Sequence, residues 1–147
     1  MIDKFFVDTN LLVYARDSSH QEKLLKANIW MDHLWKNKLG RISIQVLNEF
    51  YVTVTKKIKP GMSKKTARAD IADLLSWNPV PLDTKVLNSA LKIEEINQFS
   101  FWDSLIIGAA LVSDCKYLLT EDMQHEQKIE GLIVLNPFEV SPKEISQ

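Results

Sequence analysis

The sequence predicts an α/β fold built on a central, mainly parallel sheet. Three observations carry that reading. Met1–Val7, which ends in the apolar run Phe5-Phe6-Val7, and the runs Tyr117–Thr120 and Leu132–Leu135 are short enough to be buried strands. Longer stretches between them repeat apolar residues near every 3.6 positions, and strands separated by helices pair in parallel. Asp8 and Asp122 follow strand-like runs directly, and open α/β sheets gather their ligands beyond the carboxyl ends of the strands.

Met1–Val7 reads as a strand ending at Asp8, and either Asp8 or Asn10 can cap the helix that follows. Residues Gln21–Lys36 place Leu24, Leu25, Ala27, Trp30, Met31, Leu34 and Trp35 at helical spacing. Arg41–Ser43 is a short strand. A helix from Val46 onward then buries Val46, Leu47, Phe50 and Val54 until Pro60-Gly61 breaks it. Ser63 caps a helix running to about Trp77, with Ala67, Ile71, Leu74 and Leu75 inward.

Pro79 and Pro81 frame an extended segment through Val80 and Leu82. Asp83 or Thr84 caps a helix that carries Val86, Leu87, Ala90, Leu91 and Ile96. Ser100 starts another, almost wholly apolar from Leu105 to Val112 and therefore central. Asn136-Pro137 stops the last strand. No repeat, low-complexity tract or linker divides the chain, so residues 1–147 read as one domain.

Composition removes several function classes. A net charge of -1 argues against a generic nucleic-acid coat, which would be strongly basic. The charge is nevertheless uneven. Lys56, Lys57, Lys59, Lys64, Lys65 and Arg68 form one basic block, and Lys36, Lys38 and Arg41 a smaller one. The single cysteine, Cys115, excludes an intrachain disulfide and a Cys-rich zinc site, and it fits a reducing cytoplasm. Leu105–Val112, the longest apolar stretch, falls far short of the roughly 20 residues that span a bilayer. No signal-peptide core precedes Asp8, so the expectation is a cytoplasmic protein without a membrane segment.

Chemistry concentrates on four acids, each where an apolar run meets a polar break: Asp8, Glu49, Asp103 and Asp122. Singly, each has a structural reading. Asp8 is a helix cap, Ser100-Phe101-Trp102-Asp103 resembles a capping box, and Asp122 decorates a turn. Glu49 lies one residue past the Val46-Leu47 face and points partly inward. Together they would repel one another strongly, and a hard divalent ion is the usual remedy. Other chemistries lack their signatures. No His-Glu-x-x-His, phosphate-binding Gly-Lys loop or Gly-x-Ser-x-Gly elbow occurs, and Cys115 reads as a packed thiol. His125 reads as an exposed turn histidine, and the tryptophans and phenylalanines as core rather than base-stacking platforms.

The run Phe6-Val7-Asp8-Thr9-Asn10-Leu11-Leu12-Val13-Tyr14-Ala15 resembles the opening of a PIN domain. Ser43–Phe50, Phe101–Ala110 and Leu118–His125 match the family's later acidic blocks in order, and the likeness is nearest to VapC-type toxins. The resemblance implies a Rossmann-like α/β/α sandwich and a Mg²⁺- or Mn²⁺-dependent endoribonuclease, dimeric and silenced by a cognate antitoxin. It implies Asp8, Glu49, Asp103 and Asp122 as metal-binding acids, supported by Thr9, Asn10, Ser43 and Thr120. The expected products carry a 5′-phosphate and a 3′-hydroxyl, without a covalent intermediate. One departure stands out: a glycine is common shortly after the fourth acid, and here Glu126 follows His125. Alternatives are a housekeeping RNA-processing or DNA-directed nuclease of the same fold and a catalytically silent binding module. Last comes a phosphatase of the haloacid-dehalogenase type, which would want an acid where Asn10 stands.

Overall fold

The computed structural model describes residues 2–145. Its elements are β1 (Phe5–Val7), α1 (Thr9–Tyr14), α2 (Gln21–Asn37), β2 (Gly40–Arg41), α3 (Ile44–Val52), α4 (Lys64–Leu74), α5 (Thr84–Ile96), α6 (Phe101–Val112), β3 (Tyr117–Leu119), β4 (Lys128–Ile129), β5 (Leu132–Leu135) and α7 (Pro142–Ile145). The strands form one sheet in the order β2-β1-β3-β5-β4, parallel except for β4, which runs antiparallel to β5. The predicted α/β class and mainly parallel sheet are therefore present, with helices flanking the sheet.

Strand order reverses at β1. The chain leaves β1 toward β2 on one side and returns later to β3 on the other. Such a switch point opens a crevice at the strand ends, because the connecting helices diverge to opposite faces. Val7 pairs with Leu119, which sets Asp8 and Thr120 side by side where the two strands stop. The Asp8 N–H still donates to the Leu119 carbonyl at 3.0 Å.

The helices begin where their caps predict. Ser43, Ser63, Asp83 and Ser100 each accept a backbone N–H in the first turn of α3, α4, α5 and α6. Beneath them, Phe6, Leu11, Trp30, Leu34, Phe50, Ile107 and Leu118 are fully buried. α5 and α6 cross closely at Gly108, where an added Cβ would sit 3.1 Å from both the Ala90 nitrogen and the Val86 carbonyl oxygen. That approach selects Val86, Ala90 and Ile93 as the inward residues of α5, leaving Leu87, Leu91 and Ile96 exposed.

Other expectations need correcting. β1 is shorter than Met1–Val7, and Met1 lies outside the described residues. β2 ends at Arg41, short of Ser43, because Ser43 turns to cap α3. The extended Pro79–Leu82 segment forms one parallel bridge, Ser43 to Val80. On α2, Trp30 and Leu34 are core, whereas Leu25, Ile29 and Trp35 are exposed. On α4 and the 3₁₀ turn after it, Leu75 faces solvent while Leu74 and Trp77 are buried. α3 continues as a π-helical turn, Thr53–Lys57, which carries the first lysines of the basic block. No helix among the described residues is long and apolar enough to cross a membrane.

Candidate functional site

Asp8 is the deepest of the four acids, 5% exposed, at the point where β1 becomes α1. Its Oδ1 accepts the Thr9 N–H at 2.7 Å, so it caps α1, and its Oδ2 accepts the Thr120 hydroxyl at 2.8 Å. The Thr120 Oγ1 in turn accepts from the Asp122 N–H at 3.1 Å and the Asn10 side-chain amide at 3.2 Å. Asn10 closes the ring by donating to Asp122 Oδ2 at 3.0 Å. One buried hydroxyl thus ties the turn after β3 to the turn after β1.

Glu49 enters from α3. Its Oε1 accepts the Thr9 hydroxyl at 2.5 Å and its Oε2 accepts the Gln45 amide at 3.1 Å. Asp103 sits in the first turn of α6, its backbone N–H donating to Ser100 Oγ at 3.1 Å. It is joined to the others through space, by charge repulsion from Asp122 and Glu49. Hydrogen bonds therefore link Asp8, Glu49 and Asp122 through Thr9, Asn10 and Thr120, and electrostatics adds Asp103. Ser43 is buried and spends its hydroxyl on the Val46 N–H at 3.3 Å, so it positions α3 without touching an acid.

Burial pushes the Asp8 carboxyl up to about 7, against the lowering effect of Thr120 and Thr9, and repulsion from Asp122 and Glu49 adds to the rise. Asp103 is raised too, first by burial and then by Asp122, with Glu49 contributing. Among the described residues, no three acidic, histidine or cysteine side chains stand at chelating distance as placed. The donor set nevertheless suits a hard cation. It is all oxygen, its carboxylates repel one another, and the buried Asn10 Oδ1 and Gln45 Oε1 accept from no group among the described residues.

Three contributors were not singled out in the sequence. Gln45 lies four residues before Glu49, so one helical face carries both, and a polar residue at a buried position was the available signal. Ser104 is fully buried beside Asp103 with an unpartnered hydroxyl, hidden in the sequence by the apolar run that follows it. Lys23 pairs with Glu121 at 2.6 Å and lies 4.6 Å over the Tyr14 ring, pinning the turn that presents Asp122; nothing local marks so long-range a pair. His125 is half-buried rather than exposed, its Nδ1 accepting the Asn136 N–H at 2.9 Å. Glu126 adopts φ +69°, the left-handed region that glycine occupies without strain. Cys115 is buried, and desolvation pushes its thiol up to about 11, as a packed thiol requires.

Solved structures share this fold. A toxin–antitoxin complex from Klebsiella pneumoniae aligns with a TM-score of 0.63 at 18% identity, over 94% of this chain and 100% of that one. VapBC2 from Rickettsia felis, bound to a DNA fragment from its promoter, aligns at 0.58 and 20% identity, over 88% and 96%. Mycobacterium tuberculosis VapC20, described as a sarcin–ricin-loop-cleaving toxin, aligns at 0.55 and 18% identity, over 81% and 90%. At such identities the likeness speaks to the fold. Comparison with curated proteins gives no match. The PIN domain family model matches residues 5–129, most of the chain and all four acids, and the chain belongs to the PIN domain family.

Proposed function

We propose that this protein is a Mg²⁺- or Mn²⁺-dependent endoribonuclease acting as the toxin of a toxin–antitoxin pair. PIN domains are typically nucleases and generally use divalent metals, which supports the class of reaction. The observation that carries the reading is the gathering of Asp8, Glu49, Asp103 and Asp122 at the β1/β3 switch point, with Asp8 pushed up to about 7.

In this reading the four acids hold the ion, and Thr9, Asn10, Gln45 and Thr120 fix the direction of their oxygens. When bound, the ion would acidify a water and offset charge on the phosphoryl oxygens. Asp8, its carboxyl raised to about 7, would hold the ion as the carboxylate, so binding at pH 7 would release the fraction of a proton that it carries. Lys56, Lys57, Lys59, Lys64, Lys65 and Arg68 are exposed and hold the RNA backbone, which makes binding salt-sensitive.

The antitoxin fits a cavity of about 550 Å³ bounded by α1, α2 and α4. Its apolar floor includes Leu12, Met31 and Phe50, and its wall carries Asp32, Asp70 and Asp73. Arg16 neutralises Asp70 through a two-pronged pair, so the remaining acids suit a basic amphipathic segment. The solved neighbours from K. pneumoniae and R. felis are toxin–antitoxin complexes, which supports a partner of that kind. Self-association belongs to the same proposal, through the apolar groove of Ile44, Leu47, Tyr51, Ile71 and Leu75 between α3 and α4.

Asp8→Asn and Asp103→Asn should each abolish divalent-dependent RNA cleavage with circular dichroism unchanged. Wild-type rates in either variant would sink the nuclease mechanism. Co-expression with the adjacent upstream gene should relieve growth arrest and co-purify a small partner. If neither happens, the toxin role fails although the nuclease can stand.

A further inference from the structure

We propose that Trp102 is the platform on which the nucleotide beside the cleaved bond stacks. The inference rests on the nuclease reading above. The tryptophans divide sharply. Trp30 is buried, its Nε1 donating to the carbonyls of Pro137 and Val140 at 3.0 and 2.9 Å. Trp77 is buried against Trp35, ring centroids 5.0 Å apart, and Trp35 is 39% exposed. Trp102 is 62% exposed, and among the described residues its indole N–H meets no acceptor. Leaving so large a ring in water forgoes the burial that aromatic side chains usually gain on folding.

Its place gives that exposure a use. Trp102 immediately precedes Asp103 in the first turn of α6, behind the Ser100 cap. Helical side chains lean toward the N-terminus, which carries the ring toward the end of α6 where Asp103 senses Glu49 and Asp122. Phe101, half-buried against the core, braces it with ring centroids 5.5 Å apart at 70°. A fixed aromatic face beside a phosphate-cutting site matches the face of an unpaired base, and such stacking tolerates any base identity. A base within a duplex has no free face to offer. Leu25, Ile29, Leu87 and Leu91 are also exposed, but α2 and α5 carry none of the four acids; Val52 and Val112, exposed on α3 and α6, are aliphatic and offer no ring.

The test is kinetic and then spectroscopic. On a short single-stranded RNA with Mn²⁺, Trp102→Ala should raise KM about 10-fold, the size of one lost stack, while Trp102→Phe keeps most of the affinity. An abasic residue at one position flanking the cut should weaken wild type similarly and add nothing to Trp102→Ala. An unchanged KM, or abasic and alanine effects that multiply, overturns the proposal. With Ca²⁺ replacing Mn²⁺, the same oligonucleotide should quench tryptophan emission in wild type but not in Trp102→Phe. Equal quenching overturns the stack, and this readout stands even if no RNA is ever cut. If Trp102→Ala instead turns a dimer into a monomer by ultracentrifugation with oligonucleotide affinity unchanged, the ring serves a second copy and the proposal fails.

Discussion

Asp8 and Asp17 are equally inaccessible, each 5% exposed, yet the fold pushes their ionisation in opposite directions. Asp17 lies in the turn after α1, where its Oδ1 accepts the Ser19 hydroxyl at 2.6 Å and the Ser19 N–H at 3.0 Å. That hydroxyl bond holds the carboxyl below its usual value against the cost of desolvation, and the Ser19 N–H and the His20 charge add to it. Asp8 also has two donors, Thr120 and Thr9, but it is deeply buried at the carboxyl end of β1 with Asp122 and Glu49 as neighbours. Depth and the sign of nearby charge decide the outcome, and the number of hydrogen bonds does not. A carboxylate stabilised as an anion is a structural part. One held near neutrality among other acids is poised to take a cation.

The largest test of that contrast is the pH dependence of stability without metal. Between the ordinary value of 3.8 and about 7, folded Asp8 binds a proton that the unfolded chain has released. Asp8 therefore penalises folding above pH 7, and the penalty is relieved as pH falls toward 4. The effect is roughly 2–4 kcal/mol. Thermal melts of wild type and Asp8→Asn should thus differ in slope between about pH 4 and pH 7, wild type gaining on acidification relative to the variant. Parallel curves would mean that Asp8 is an ordinary ionised cap.

Asp17 should behave oppositely. Its lowered carboxyl contributes stability above its unfolded value, and that contribution is lost as pH falls through the folded one. Asp17→Ala should lower stability at pH 7 by about 1 kcal/mol, the worth of its hydrogen bonds, and leave RNA cleavage at the wild-type rate. A loss of cleavage comparable to that of Asp8→Asn would erase the distinction between the two residues.

The smallest effect is expected at Glu126, in the loop that follows the fourth acid. Its side chain is 77% exposed and its φ is +69°, so it bears the strain of a left-handed residue while its N–H donates to the Val134 carbonyl at 2.7 Å. Glu126→Gly should raise stability by about 0.5 kcal/mol in denaturant melts, the relieved strain less the entropy that glycine adds to the unfolded chain. A lower midpoint would show that Glu126 has a role its backbone does not reveal.

The sequence made the centre of the molecule legible and its margins much less so. β1, β3 and β5 are continuous apolar runs, and their ends located Asp8 and Asp122 without any tertiary knowledge. Ser63, Asp83 and Ser100 announced their helices because a cap is a local interaction. β4 is only Lys128–Ile129 and exists by pairing with β5; the turn at Glu130-Gly131, with φ of +51° and +89°, was its one local signal. The inward face of α5 is set by the close crossing at Gly108, and periodicity alone did not tell that Leu87 and Leu91 face outward. Gln45 and Lys23 act through partners distant in space or concealed on a buried face, where a single sequence has no voice.

The central claim is that the strand-end acids form one cation site with Asp8 at its heart. Calorimetric titration of Mn²⁺ at pH 7, repeated in buffers of different ionisation enthalpy, tests it most directly. Wild type should bind saturably and release a fraction of a proton, because Asp8 is partly protonated at that pH, and Asp8→Asn should lose both affinity and proton release. Absence of binding at millimolar Mn²⁺, or binding with the same proton release in Asp8→Asn, would contradict the account.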